Sequence, residues 1–201
     1  DYLDIAAIGF SGNGAGVLLG VKDGFTRPSV LAMESVPKRT FTRERVLPGG
    51  NTVLATETLN YWIQPEASGD TPMGMALDKV LELTSRWCRR PANTDSYPPT
   101  IFNITDGEAS DADSSKLIAL ASEIRSLGTS DGKTLLININ LRSGKGNGAV
   151  IFPSSPGELP DSRYTKMLYD MSSVMPSEYS TQISELKGSR QQPPFRALGF
   201  N

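Results

Sequence analysis

Two short stretches of the chain hold the side chains best suited to chemistry. In Gly69-Asp70-Thr71-Pro72-Met73-Gly74-Met75-Ala76-Leu77 a threonine hydroxyl stands where a loop enters a helix. In Ile104-Thr105-Asp106-Gly107-Glu108 a carboxylate stands at the tip of an apolar strand, and glycine lets the chain turn away. Hydroxyl and carboxylate oxygens are hard donors, the type that magnesium, manganese and calcium prefer. The ends of parallel strands are also where an open α/β sheet places its binding crevice. Taken singly, Thr71 reads as an ordinary helix cap and Asp106-Gly107 as an ordinary turn. Their joint occurrence is what points to a site.

Other polar stretches read as structure. Ser11-Gly12-Asn13-Gly14-Ala15-Gly16 lacks the Lys-Ser/Thr ending of a phosphate cradle and is expected to be a hairpin turn. Ser143-Gly144-Lys145-Gly146 fails the same spacing and is expected to be a mobile loop. Asp111 and Asp113 are expected to cap a helix, and Cys88 to pack on one.

The elements that must position Thr71 and Asp106 follow from periodicity. Residues 3–10 form a short apolar run expected to be a buried strand, with Val17 to Val21 as its hairpin partner. From Arg27 to Gln64, Pro28, Pro37 and Pro48-Gly49-Gly50 break the chain into short strands or loops. Asp70-Thr71-Pro72 opens a helix in which Met73, Ala76, Leu77, Val80, Leu81, Thr84 and Trp87 keep helical spacing. Thr100 to Thr105 reads as a strand, and a second helix capped by Ser110 or Asp111 buries Leu117, Leu120, Ala121, Ile124 and Leu127 before Gly128. Thr134 to Leu141 is a further buried strand, with Ala149 to Phe152 as its hairpin return. Helices are expected over Tyr164 to Val174 and Glu178 to Leu186, and an irregular end from Pro193-Pro194 to Asn201. Strands alternating with helices at this spacing predict a single α/β domain over 1–201, a three-layer, Rossmann-like sandwich whose central sheet is mostly parallel.

Composition narrows the function classes. The chain of 201 residues contains no histidine, which removes the commonest general base and the serine and cysteine hydrolase triads with it. One cysteine excludes an internal disulfide and a cysteine-ligated zinc site, and no disulfide-linked partner is expected. A net charge of -2 with scattered Lys and Arg gives no footprint for nucleic acid, and no apolar run is long enough for a membrane helix.

Gly-x-Thr-Pro-x-Gly-x-Ala-Leu, followed about thirty residues later by a strand ending Thr-Asp-Gly-Glu, resembles the second and third loops of the metal-ion-dependent adhesion site of the von Willebrand factor A family, in its bacterial intracellular branch. The resemblance runs from Leu3 to Leu141, with Ile5 to Ser11 similar to the family's second strand. It implies that Thr71 binds a magnesium ion (or manganese or calcium) directly and that Asp106 binds it directly or through water. It also implies a cytoplasmic, non-enzymatic module that holds another protein through an acidic side chain filling an open position on the metal. The family's first loop, Asp-x-Ser-x-Ser, is absent from the sequence. The resemblance therefore implies that the first strand, its loop and first helix precede Asp1, and that a last helix follows Asn201. Without a middle strand the 201 residues are expected to expose apolar surface and to fold poorly. The competing classes are a magnesium-dependent phosphoryl-transfer or hydrolytic enzyme using Asp106, Asp111 and Asp113, and a metal-free scaffold.

Overall fold

A computed structural model describes residues 3–12, 14–19, 24–33, 38–60, 69–141, 149–188 and 193–200. The expected loop at Ser143–Gly146, the position of Pro37 and the end of the strand expected at Val21 lie outside these residues. Contacts divide the chain into two compact units, Asp1–Gly9 with Val17–Ala67, and Phe10–Gly16 with Ser68–Asn201.

The chain opens with a hairpin, β1 (Ala7–Ser11) and β2 (Gly14–Leu19), which forms its own two-stranded sheet. The turn expected at Ser11–Gly16 is present at Gly12, whose φ of 59° is a conformation that glycine adopts without penalty. The expectation of a buried strand here is corrected. β1 is half-buried along its whole length, because among the described residues it joins no larger sheet.

The first unit adds a short helix, α1 (Pro28–Met33), and a long ribbon of β3 (Lys38–Val46) and β4 (Thr52–Asn60). Nine antiparallel pairs run from Lys38↔Asn60 to Val46↔Thr52. This replaces the short strands and loops expected between Arg27 and Gln64. Pro28 opens α1, and Pro48-Gly49-Gly50 makes the turn that connects the paired strands, with φ of 114° and 84° at its glycines. Facing threonines zip the ribbon, with Thr40 and Thr58 hydroxyls 3.1 Å apart, and Arg43 reaches Glu57 at 2.7 Å.

The second unit is α/β and carries the core. Its elements are α2 (Met73–Cys88), β5 (Thr100–Thr105), α3 (Ser114–Ser126), the small hairpin β6 (Gly128–Thr129) and β7 (Gly132–Lys133), β8 (Leu135–Asn140), β9 (Val150–Ile151), α4 (Arg163–Met171), α5 (Ser180–Lys187) and β10 (Leu198–Phe200). The sheet order is β5-β8-β10-β9, parallel across β5, β8 and β10 and antiparallel at β9. Two expectations are corrected here. Val150–Ile151 does return as a strand, but it pairs with β10 and not with β8. The end of the chain is not irregular, since Leu198–Phe200 enters the sheet between them. Three residues, Leu-Gly-Phe, are too short a run for periodicity to reveal, and their place is set by contact with Asn138–Asn140.

One face of this sheet meets α2, α3 and α4. Leu136 is fully buried among Met73 and Leu77 of α2, Leu117 and Ile124 of α3 and Leu168 of α4. Every residue expected on the α3 face except Leu127 is buried, and Leu127 becomes the residue after the helix. The same sheet face carries a polar row. The Asn103 amide donates to Asn138 Oδ1 (2.9 Å), and the Asn138 amide donates to Ser172 Oγ (2.9 Å) at the end of α4. Buried amides in a closed chain of hydrogen bonds fix the strand register while avoiding the cost of unpaired polar atoms. The Ser172 carbonyl ends α4 by accepting from Arg125 (3.0 Å) and Arg196 (2.9 Å), cations at the negative end of a helix. On the other face, over β5, Phe102 is 60% and Ile104 53% exposed. No second helix layer covers that strand among the described residues. Cys88, the last residue of α2, is half-buried, and burial pushes its thiol up from the ordinary range. That agrees with a packed rather than a reactive cysteine. No described helix is long and apolar enough to cross a membrane.

α5 ends at Gly188 in the left-handed conformation and is tied down by Lys187, which donates to Glu158 Oε2 (2.8 Å) and to the Phe152 carbonyl (2.9 Å). Glu158 Oε1 also accepts from the Ser154 amide and hydroxyl and from the Ser155 amide. Burial alone would raise the Glu158 carboxyl, but Lys187 and the serine donors override it and hold it down at about 2. A carboxyl whose folded value lies below its ordinary 4.5 contributes stability that is full above that value and is lost as pH falls toward 2. Glu158→Gln is therefore expected to lower the melting temperature at pH 7, by about 2–4 °C per kcal/mol lost. The gap between variant and wild type should close as acid unfolding is followed downward through the same window.

Candidate functional site

The two stretches singled out by their chemistry meet at the carboxyl end of β5. Ser110 clasps the Thr71 backbone with its own amide and hydroxyl: the Ser110 amide donates to the Thr71 carbonyl (3.0 Å), and the Thr71 amide donates to Ser110 Oγ (3.1 Å). The Thr71 hydroxyl lies over Gly107, 3.3 Å from where a β-carbon would stand on that residue. Glycine at 107 thus leaves the room that the hydroxyl occupies. Asp106, one residue before it, is exposed, and Thr71 is half-buried. Neither the Thr71 hydroxyl nor the Asp106 carboxylate makes a hydrogen bond or ion pair among the described residues, which leaves both free to meet a ligand.

Thr71 does not cap α2. The helix starts after Pro72 without a side-chain cap of its own, and the role falls to Asp111 from the far side of the site. Its two carboxylate oxygens accept from the Gly74 amide (2.9 Å) and the Met75 amide (2.8 Å). A carboxylate across the first turn satisfies two orphan amides and opposes the helix dipole. Asp113 caps α3 by accepting from the Lys116 amide (2.8 Å). The capping expected of this pair is thus observed, although shared between two helices, and the cap of α3 is Asp113 rather than Ser110 or Asp111.

Gly74 makes the arrangement possible. A β-carbon there would stand 2.9 Å from Ala112 Cβ and 3.0 Å from Asp111 Oδ2. Gly69, at φ 66°, approaches Gly12 Cα to 3.4 Å of its β-carbon position, which brings the β1–β2 turn beside the loop that carries Thr71. The glycine spacing around Thr71 is therefore a record of two close approaches, one to the side chains of Asp111 and Ala112 and one to the backbone of Gly12.

Sequence reasoning missed the residues that hold the Asp106 turn. Thr105 Oγ1 accepts from the Gly107 amide (3.3 Å) and donates to the Gly107 carbonyl (2.9 Å). Tyr164, from the first turn of α4, donates its hydroxyl to that same carbonyl at 2.6 Å. Asn140, at the end of β8, donates to the Thr105 carbonyl (3.3 Å) and toward the Tyr164 oxygen (3.5 Å). Burial raises the Tyr164 phenol above its ordinary range; Thr105 and Asn140 pull it partly back, and the charges of Glu108 and Asp106 push it further up. Periodicity assigns Tyr164 to a helix, but no local signal says which strand end its hydroxyl will reach.

Among the described residues no group of three or more acidic or thiol side chains converges as a metal cage. A cation held by Thr71 and Asp106 would have one hydroxyl and one carboxylate as its protein donors, with water for the rest. Magnesium, which keeps several waters and takes one or two carboxylates, fits such a set better than zinc does. Comparison with known protein families, curated proteins and solved structures found no match.

The close approach at Gly74 gives a test of sign. In an exposed helix, Gly→Ala stabilises by about 1 kcal/mol. Here Gly74→Ala is expected to destabilise by about 1–3 kcal/mol, because the added methyl displaces the Asp111 cap. Urea denaturation checks this, and Asp111→Ala should show a loss of similar size that is not additive with it.

Proposed function

We propose that this chain is a divalent-metal-dependent protein-binding module of the von Willebrand factor A type, acting in the cytoplasm. Thr71 and Asp106 are its metal ligands, magnesium its preferred ion, and an acidic side chain of a partner protein its target. The single observation that carries the reading is the unengaged Thr71 hydroxyl seated over Gly107, the residue that follows the exposed Asp106 in the chain. A magnesium ion held by one hydroxyl, one carboxylate and water keeps much of its charge and an exchangeable position, which a glutamate or aspartate can take. In this reading the parallel strands β5, β8 and β10 belong to a larger three-layer, mostly parallel sandwich.

The commitments of Asp111 and Asp113 support binding over phosphoryl transfer. Both carboxylates are spent on helix amides, and an enzyme using them as metal ligands would have to uncap α2 and α3. Titration calorimetry with magnesium chloride and, separately, manganese chloride tests the reading. Wild type is expected to bind and to gain melting temperature with metal. Thr71→Val and Asp106→Asn should each weaken binding at least tenfold, about 1.4 kcal/mol, with the metal-free fold intact. A wild type that gives no heat and no thermal shift with either metal would favour a scaffold that works without one.

A further inference from the structure

Asp106 is exposed, and an exposed side chain binds metal well only if its backbone is held still. The backbone on both sides of it is pinned. Thr105 before it is 5% exposed and grips the Gly107 amide and carbonyl with one hydroxyl. The residue after it is glycine, the side chain least able to restrict its own rotation. The remaining restraint on that peptide comes from α4, where the Tyr164 hydroxyl reaches the Gly107 carbonyl across 57 residues of sequence at 2.6 Å. Tyr164 is half-buried at the start of α4, and its phenol oxygen also faces the amide of Asn140, which is 2% exposed. The same helix offers an internal comparison: the Tyr169 hydroxyl donates to the Ser154 carbonyl at 3.1 Å, a bond of the same chemical type at an unrelated loop.

We propose that Tyr164 is a positioning residue for the metal site: its hydroxyl, on the Gly107 carbonyl, fixes the turn from which Asp106 reaches the ion. The inference rests on the metal reading above and adds α4 to the elements that determine metal affinity. Outer residues that orient a ligand alter affinity by about 10–100-fold when removed, without touching the ion. Thr105 and Tyr164 share one acceptor, so the loss of either leaves the other to hold the turn imperfectly.

The test compares Tyr164→Phe with Tyr169→Phe in the full chain. Each variant loses one hydroxyl and keeps its ring. Two measurements are made: amide hydrogen exchange of residues 106–109 in metal-free protein, and the affinity for magnesium by calorimetry. Tyr164→Phe is expected to speed exchange in the turn and to weaken magnesium binding about tenfold, whereas Tyr169→Phe leaves both unchanged even if it lowers the melting temperature as much. Magnesium affinity unchanged in Tyr164→Phe while wild type binds would overturn the inference and leave the metal reading standing. Equal weakening in both variants would also overturn it, since the effect would then be general loosening of α4. No magnesium or manganese binding by wild type would remove the metal reading and the positioning role with it, and the exchange arm would then report only on the turn.

Discussion

The carboxylate of Asp111 closes the free amides at the start of α2, reaching Gly74 across 37 residues of chain, and the two loops of the candidate site are arranged around that contact. It requires that β5 end where it does, that the chain turn at Gly107, and that residue 74 carry no side chain. In return it joins the loop bearing Thr71 to the loop bearing Asp106 as one body, with Ser110 completing the clasp through both of its hydrogen-bonding groups. Separating the two loops would uncap α2, leaving amides unpaired at the positive end of its dipole. The geometry of the site is thus a by-product of how the helix is terminated.

Beneath the clasp the sheet contributes a second constraint, which is polar. Asn103, Asn138 and Asn140 face the helices on adjacent strands, where aliphatic side chains would be the ordinary choice. Each amide is spent on a particular partner: Asn103 on Asn138, Asn138 on Ser172, Asn140 on Thr105. Shifting β8 by one residue against β5 would break these bonds and turn apolar side chains to the other face. Ser172 extends the chain to α4, where two arginines hold its carbonyl. The position of α4, and hence of Tyr164, follows from that register.

Much of this was legible in the residues, and the rest was hidden for identifiable reasons. α2 was readable from Asp70-Thr71-Pro72 and an apolar stripe, and β5 and β8 from short β-branched runs, because these elements are dictated by local pattern. The caps were half readable. The sequence shows that Asp111 and Asp113 will accept from helix amides, yet nothing local shows that Asp111 serves a helix already passed. β9 and β10 were misplaced because two- and three-residue strands take their pairing from tertiary contact alone. The β3–β4 ribbon was obscured by Pro48-Gly49-Gly50, which sits in its turn rather than in its ladder. At the candidate site, residue types and spacing singled out Thr71 and Asp106, while Tyr164 and Asn140 reach the same turn through long-range hydrogen bonds that no short motif encodes.

The margin of the sheet at β5 has a practical bearing on the isolated chain. Leu135 donates to the Pro99 carbonyl and Leu141 to the Thr105 carbonyl, so the odd-numbered residues of this strand face β8. The backbone groups of Thr100, Phe102 and Ile104 therefore point outward, beside two of the more exposed large apolar side chains described. The strand contains no lysine, no internal proline and no bulge to discourage a neighbour. Such a border is a template on which any extended polypeptide gains main-chain bonds at little entropic cost. Among the described residues nothing covers this border, and a charged residue at position 102 or 104 would blunt it when the protein is prepared for solution work.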